Sequence, residues 1–184
     1  MLSCGTERQN VKLLLDPAAT QIDYSPRPTT VASLRAIKRP PQVTTTSPRL
    51  ATVEFRTYSL MRVKLIAVTR TVSFDTVLAV QGPNPGSTML IVFPDTHLCL
   101  PNPGPHGGDI HSATDGLNAD CGPMIPFNHW VPLTGTADVA GVGFWEPRHA
   151  TATKWSAPNG LTLHPALSFY AYGCAQAGGL PPGG

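Results

Sequence analysis

The last third of the chain carries two long strand patterns, which constrain the fold more than any other feature. Residues 133–145 and 161–170 each have the composition of a β-strand, and a polar loop joins them. Farther upstream, Arg62 and Lys64 alternate with apolar residues, which is typical of a half-buried strand. Three further strands are predicted there: a long one at 52–68 with a bend near Ser59, and two short ones at 75–81 and 88–93. The sequence therefore predicts an all-β or β-dominated fold in which five strands form one small barrel.

A stretch rich in glycine and proline, residues 95–130, separates the third predicted strand from the fourth. It shows no clear periodicity, and a structureless run of this length is uncommon inside a compact domain. We expect an irregular insert outside the barrel. The order of three strands, insert and two strands is that of an OB-type barrel, in which a helix commonly fills the gap. Here that helix is expected to be weak or missing.

The two ends of the chain are expected to lie outside the barrel, which occupies residues 51–172. Residues 173–184 are predicted to be a disordered tail, and residues 1–50 an extended basic arm with a short helix that begins after Thr29 or Thr30. The first 70 residues contain 11 Lys and Arg against four acids, whereas the rest contain two against seven. Such an arm can bind nucleic acid or an acidic surface, or it can fold back on its own acidic barrel.

The chain has four cysteines, and none are in C-x-x-C spacing, which argues against a zinc or redox motif. Cys99 and Cys121 flank the insert, where a disulfide closing about 20 residues would contribute roughly 3 kcal/mol. We therefore expect these two to pair and Cys4 and Cys174 to be free, the alternative being unpaired thiols throughout. No apolar run approaches the ~20 residues of a membrane span. The expected location is secreted or periplasmic if a leader is missing, and cytoplasmic otherwise.

Four short motifs resemble those of a known family. They are GTA at 135–137, GVGF at 141–144, APNG at 157–160 and LHP at 163–165. Together they resemble a family of small bacterial proteins of uncharacterised function, which is itself similar to the OB-type barrel of staphylococcal-nuclease-like domains. The resemblance implies an OB-like fold and a cysteine before strand four, which is Cys121 here, but no activity. The chain departs from the family at Val77, where histidine is common, and in the insert.

The candidate ligand-binding residues lie mainly in the loop between strands four and five, where OB-type barrels bind ligands. His149 could titrate near neutral pH, and Trp155 could stack on a base or a sugar. Asn159 belongs to the same loop, and Asp75 is expected on the neighbouring strand. Structural roles are assigned to three further residues: His164, Gly143 and Pro158.

These features predict a non-enzymatic binding or interaction module with no assigned partner. One alternative is a binder of single-stranded nucleic acid that uses the basic arm and Trp155. The other is a metal-dependent hydrolase of nuclease-like type that uses His149, Asp75 and Asp95, although few basic residues follow residue 70. The insert also contains His97, His106, Asp109 and His111. Their spacing matches no known metal signature, so the sequence assigns neither a metal nor a cofactor.

Overall fold

The computed structural model describes residues 4–99, 104–122, 125–147 and 153–177, and β-strands dominate these residues. The strands are β1 (Asp23–Thr29), β2 (Arg56–Arg70), β3 (Thr76–Gln81), β4 (Thr88–Phe93), β5 (Val131–Trp145) and β6 (Leu161–Gln176). The α-helices are α1 (Gln9–Lys12), α2 (Val31–Arg35), α3 (Thr96–Cys99) and α4 (Gly107–Cys121). Short 3-10 turns occupy Pro17–Gln21 and Val53–Phe55. The predicted β-dominated class is confirmed.

The six strands form one sheet that closes into a ring through the long strand β2. Their order is β1-β2-β3-β4-β6-β5, and β2 also pairs with β5. The register of β2 against β5 is interrupted between Leu60 and Val63 and again between Lys64 and Ala67. Such bulges bend a strand, which allows β2 to reach several neighbours. The pairing of β4 with β6 is parallel and the result is not a regular barrel.

The prediction of five strands omitted β1, which lies within the predicted arm. This segment contains Pro26 and Pro28, which argue against a strand because proline cannot donate to the ladder. The structure places β1 at the free end of the sheet, where it pairs in parallel with β2 alone. Edge strands tolerate proline, so the two prolines do not prevent pairing there. The short helix predicted next to it is α2, and the Thr30 side chain accepts a hydrogen bond from Ser33 N.

The prediction of an irregular insert is wrong, because residues 95–130 contain α3 and the 15-residue helix α4. The buried residues of α4 recur at helical spacing: Gly107, Ile110, Ala113, Thr114, Leu117 and Cys121. Most of the glycines and prolines lie before or after this helix and therefore do not interrupt it. The high overall content of these two residues masked the amphipathic pattern between them.

The main core fills the inside of the ring. Trp145 is 1 % exposed, and Leu60, Met89, Ile91 and Phe93 are fully buried with it. A second cluster joins the N-terminal segment to α4 and β5: Leu13, Leu14, Ala19, Ile22, Ile110 and Val142. Residues from the first 50 positions are thus packed against the sheet and α4.

The disulfide prediction is also wrong, since Cys4 pairs with Cys99 and Cys121 pairs with Cys174. Bridged Cα atoms must lie about 4.4–6.8 Å apart. Cys121 is the last residue of α4, a helix about 22 Å long, and therefore lies far from the start of that helix, which follows Cys99 in the chain. Cys174 lies on β6, which continues to Gln176 rather than ending before a tail at 173. Its Cα is 5.0 Å from that of Cys121. The rest of the predicted tail, 178–184, lies outside the described residues.

Candidate functional site

A pocket of about 900 Å³ opens where β3 begins and β5 ends. One wall is apolar and consists of Val77 on β3, Leu90 and Val92 on β4, and Trp130 just before β5. Most of the remaining lining comes from Thr153, residues 156–160, the first residues of β6 and several residues between Thr69 and Asp75. A pocket of this size lies within the usual range of about 300–1,000 Å³ for small-molecule sites.

Ionisable side chains from four parts of the chain meet in this pocket. Asp75 precedes β3, Glu146 follows β5, His164 lies on β6 and Lys12 ends α1. Asp75 is 8 % exposed, and its carboxylate accepts a hydrogen bond of 3.1 Å from the Ser73 hydroxyl. Glu146 Oε1 lies 3.5 Å from His164 Nδ1 and 3.3 Å from the Thr162 hydroxyl.

The two carboxyl groups of the pocket are shifted in opposite directions. Burial raises the pKa of Asp75 above its ordinary value, and the charges of His164 and Lys12 only partly offset this effect. Burial also acts to raise the pKa of Glu146, but the contact with His164 and the charge of Lys12 outweigh it and hold that pKa below its ordinary value. Relative to an exposed carboxyl, the protein thus stabilises the protonated form of Asp75 and the ionised form of Glu146.

His164 is buried in the pocket wall with unsatisfied hydrogen-bonding capacity. Its side chain is 2 % exposed; Nδ1 lies 3.5 Å from Glu146 Oε1 without forming a hydrogen bond, and Nε2 has no hydrogen-bond partner within the described parts of the chain. Its ring lies 5.3 Å from that of Phe144, which helps to fix its orientation. Buried imidazole nitrogens are normally hydrogen-bonded, so this exception in the lining of a pocket makes His164 a candidate site residue.

Asn159 lines the pocket but its side chain is used within the fold. The amide nitrogen donates to the carbonyl oxygens of Leu34 and Ile37, at 2.8 and 3.0 Å, and so ties the loop to the end of α2. Arg39 donates to the backbone oxygens of Asn159 and Glu146, at 3.0 and 2.5 Å, and holds the two ends of the loop together.

The other predicted site residues fall at different places. Trp155 does not line the pocket; it is partly buried, and its ring meets that of Trp130 edge-on at 4.7 Å. Asp75 is in the pocket, whereas His149 lies outside the described residues. Asp95 pairs with Arg70 and does not line the pocket. The structure thus brings together Asp75 and Asn159 in the pocket, whereas Trp155 contacts Trp130 of its lining.

The residues assigned structural roles also have clear positions. A Cβ added to Gly143 would lie 2.6 Å from Val53 Cγ1 and 2.7 Å from the Val53 carbonyl oxygen, so only glycine fits without a shift. Pro158 is exposed in a turn closed by the hydrogen bond from Gly160 N to the Ala157 oxygen, 2.9 Å. His164, in contrast, combines burial with a place in the pocket wall.

Two charged residues of the pocket, Glu146 and Lys12, are not predicted by the sequence as site residues. Glu146 directly follows Trp145, which pairs with the first residue of β6. An acid at the end of a predicted strand and beside the predicted ligand loop could have been recognised from this position. Lys12 reaches the pocket through tertiary packing, and no local signal indicates it.

Several arginines of the first 70 residues are paired inside the fold. Arg8 contacts Glu54 at 2.6 Å with both side chains fully buried, and Arg49 contacts Asp16 at 2.5 Å. Arg27 pairs with Asp23 at 2.8 Å on the surface. The excess positive charge of this region is therefore partly neutralised by its own acids.

No protein-family model, curated protein or solved structure matches this chain. The family resemblance drawn from the four motifs accordingly stays a prediction. Among the residues that the structure describes, no helix combines the length and the apolar character that crossing a membrane requires.

Proposed function

We propose that this protein is a binding module for a small hydroxylated organic ligand, such as a mono- or disaccharide, which occupies the pocket beside Asp75. One observation carries the proposal: two carboxyl groups, a buried imidazole and a group of apolar side chains line the same pocket. Ligand sites commonly combine a mostly apolar lining with a few convergent polar groups in this way.

The mixed lining of the pocket favours a ligand with polar and apolar surfaces. Glu146 and Asp75 offer acceptors for hydroxyl groups. Trp130, Leu90 and Val92 offer an apolar surface to carbon-bound hydrogens. A sugar ring has both kinds of surface.

Arginines that already pair with carboxylates argue against the alternative of a single-stranded nucleic-acid binder. Binding a phosphate backbone requires several basic groups that can exchange their counterions for phosphates. Arg8, Arg49 and Arg27 already pair with carboxylates within the fold. The pocket also places two acids where a phosphate group would have to approach.

A second candidate function, hydrolysis of a glycosidic bond, is favoured by the opposite pKa shifts. Such a reaction uses one carboxyl group whose pKa is raised and a second that stays ionised, and the shifts of Asp75 and Glu146 have these directions. Asp75 would donate a proton to the leaving oxygen, and Glu146 would activate water or attack the ring carbon. This candidate takes the place of the nuclease-like alternative, because Asp95 lies outside the pocket.

We also propose that the ring is of the OB type and that the protein matures in an oxidising compartment. The support for the first is the strand order, with α4 between the third and fourth strands of the ring and a pocket beside the β5–β6 loop. The support for the second is the pair of disulfides, which persist mainly in secreted and periplasmic proteins.

The test is saturation-transfer NMR with a panel of mono- and disaccharides. We expect at least one sugar to bind the native protein. The control variant Asp109→Asn should bind it equally well, because this carboxylate is exposed on α4 and does not line the pocket. Trp130→Ala and Glu146→Gln should lose this signal. Binding that survives both pocket substitutions, or no binding by any sugar, would contradict the proposal. Release of nitrophenol from nitrophenyl glycosides, lost in Asp75→Asn, would establish the second candidate.

A further inference from the structure

A second cluster of potential ligands lies on the insert helices, away from the pocket. His97 of α3 and His111 and Asp115 of α4 each offer one ligand atom, and these three atoms lie within 4.8 Å of one another. His97 and His111 are apparent in the sequence as potential ligands, but their grouping with Asp115 is not, because the three residues are spread over two helices. His111 and Asp115 are four residues apart and so share one face of α4.

We propose that these three side chains form a binding site for a divalent transition metal, with Zn²⁺ as its occupant. Two imidazoles and one carboxylate are a ligand set that Zn²⁺ uses in proteins, with water in the fourth position. A tetrahedral site with metal–ligand bonds of about 2.0–2.1 Å needs ligand atoms roughly 3.3 Å apart. His111 Nε2 and Asp115 Oδ2 are already 3.1 Å apart. His97 is exposed, so its side chain can rotate to complete the set.

The hydrogen bond behind His111 supports the proposal independently. Its Nδ1 lies 2.7 Å from the hydroxyl oxygen of Thr96, which is buried. When Nδ1–H donates to that hydroxyl, Nε2 carries the lone pair and points toward Asp115. Metal-binding histidines usually donate their second N–H to an oxygen in this manner. The ring of His97 also lies nearby, edge-on to that of His111, with 4.8 Å between the two ring centroids.

Other histidine and acid pairs of the same helix lack these features. His106 lies 3.0 Å from Asp109, but its ring stacks on Tyr24 at 3.5 Å and no third ligand joins the pair within the described chain. The two imidazoles disfavour hard cations such as Mg²⁺ and Ca²⁺, which prefer oxygen ligands. A bound Zn²⁺ would join α3 to α4 and so fix the segment that the Cys4–Cys99 disulfide also holds.

The experiment is calorimetric titration of the full, disulfide-intact chain with Zn²⁺, without an affinity tag. We expect one Zn²⁺ per chain at this site. Removing a ligand in His97→Ala, His111→Ala or Asp115→Asn should weaken binding by at least the ~10–100-fold that loss of an outer-shell partner costs. Co²⁺ absorption should show a nitrogen- and oxygen-bound ion that the same variants lose.

Two matched controls and one positioning variant complete the design. His129→Ala removes another exposed histidine and Asp109→Asn another exposed acid of α4, and both should bind Zn²⁺ like the native protein. Thr96→Val should lower the affinity about 10–100-fold, and Thr96→Ser should restore it.

His97 and Asp115 are exposed, so their variants should fold, as circular dichroism will verify. Unchanged affinity in both of these variants, an equal loss in the controls, or no one-to-one binding would overturn the proposal.

Discussion

Asp75 and Glu146 show how neighbouring carboxyl groups acquire opposite properties in one pocket. Asp75 loses solvent and gains only partial compensation, whereas Glu146 gains a close imidazole and the charge of Lys12. Both residues sit at strand ends, so the difference between their pKa shifts comes from their individual neighbours. Substituting each residue in turn should therefore have distinguishable effects.

The two carboxyl groups should contribute to stability with opposite dependence on pH. The pKa of Asp75 is raised above 3.8, so its contribution is present at low pH and is lost as the pH rises through the folded-state pKa. The pKa of Glu146 is lowered from 4.5, so its contribution is present at neutral pH and is lost as the pH falls. Relative to the native protein, Asp75→Asn should gain stability and Glu146→Gln should lose it as the pH rises from about 3 to 7. Urea unfolding at a series of pH values measures both, and slopes of equal sign would refute the assignment.

The buried pair of Arg8 and Glu54 is the most fully satisfied charged contact in the described residues. Glu54 accepts two hydrogen bonds from Arg8, at 2.8 and 2.6 Å, and two from the backbone nitrogens of Leu50 and Trp145, at 2.6 and 2.8 Å. Arg8 also lies 4.6 Å above the ring of Phe144. The pair thereby connects the N-terminal segment to β5.

Removing one partner of this pair should destabilise the protein strongly. Glu54→Ala leaves the Arg8 guanidinium buried without its counter-charge, which typically costs about 3–5 kcal/mol. Chemical denaturation gives the free energy of unfolding. The control is Asp23→Asn at the exposed pair with Arg27, which should change stability little. A similar small effect for both substitutions would show that the buried pair does not hold the segment in place.

At the scale of elements, the sequence predicts five of the six strands but neither the edge strand β1 nor the helix α4. The five strand patterns correspond to β2–β6 because alternation and apolar runs survive in each of them. The edge strand β1 was missed because prolines remove its strand signature. Helix α4 was missed because glycine and proline at both ends hid Ile110 and Leu117, whose spacing is helical. Propensity was outweighed by tertiary packing in both cases.

The disulfides provide the sharpest test at this scale. Digestion under non-reducing conditions should yield one peptide pair joining Cys4 to Cys99 and one joining Cys121 to Cys174. Replacing Cys121 and Cys174 by serine releases a loop of 53 residues and should cost about 4 kcal/mol in the chain-entropy model. A peptide pair that joins Cys99 to Cys121 would restore the pairing expected from sequence and contradict the position of α4.

At the scale of the whole molecule, the pocket depends on parts of the chain that are distant in sequence. Lys12 comes from the N-terminal segment, Asp75 from the β2–β3 connection and Glu146 from the end of β5. Sequence alone could indicate Asp75 and the loop with Asn159, because the predicted strand order places both near one end of the ring. It could not indicate Lys12, since the position of this residue follows from how the segments pack.

The most direct test of the proposed ligand site is the nitrogen–proton NMR spectrum of the full chain during titration with a sugar that binds it. The chain has three tryptophans, which report on three environments. The indole signal of Trp130 and the ring signals of His164 should shift as the sugar binds, whereas the indole of Trp145, buried in the core, should stay in place. Saturable shifts at Trp130 and His164 that disappear in Glu146→Gln are the predicted result. Shifts confined to residues outside the pocket would contradict it.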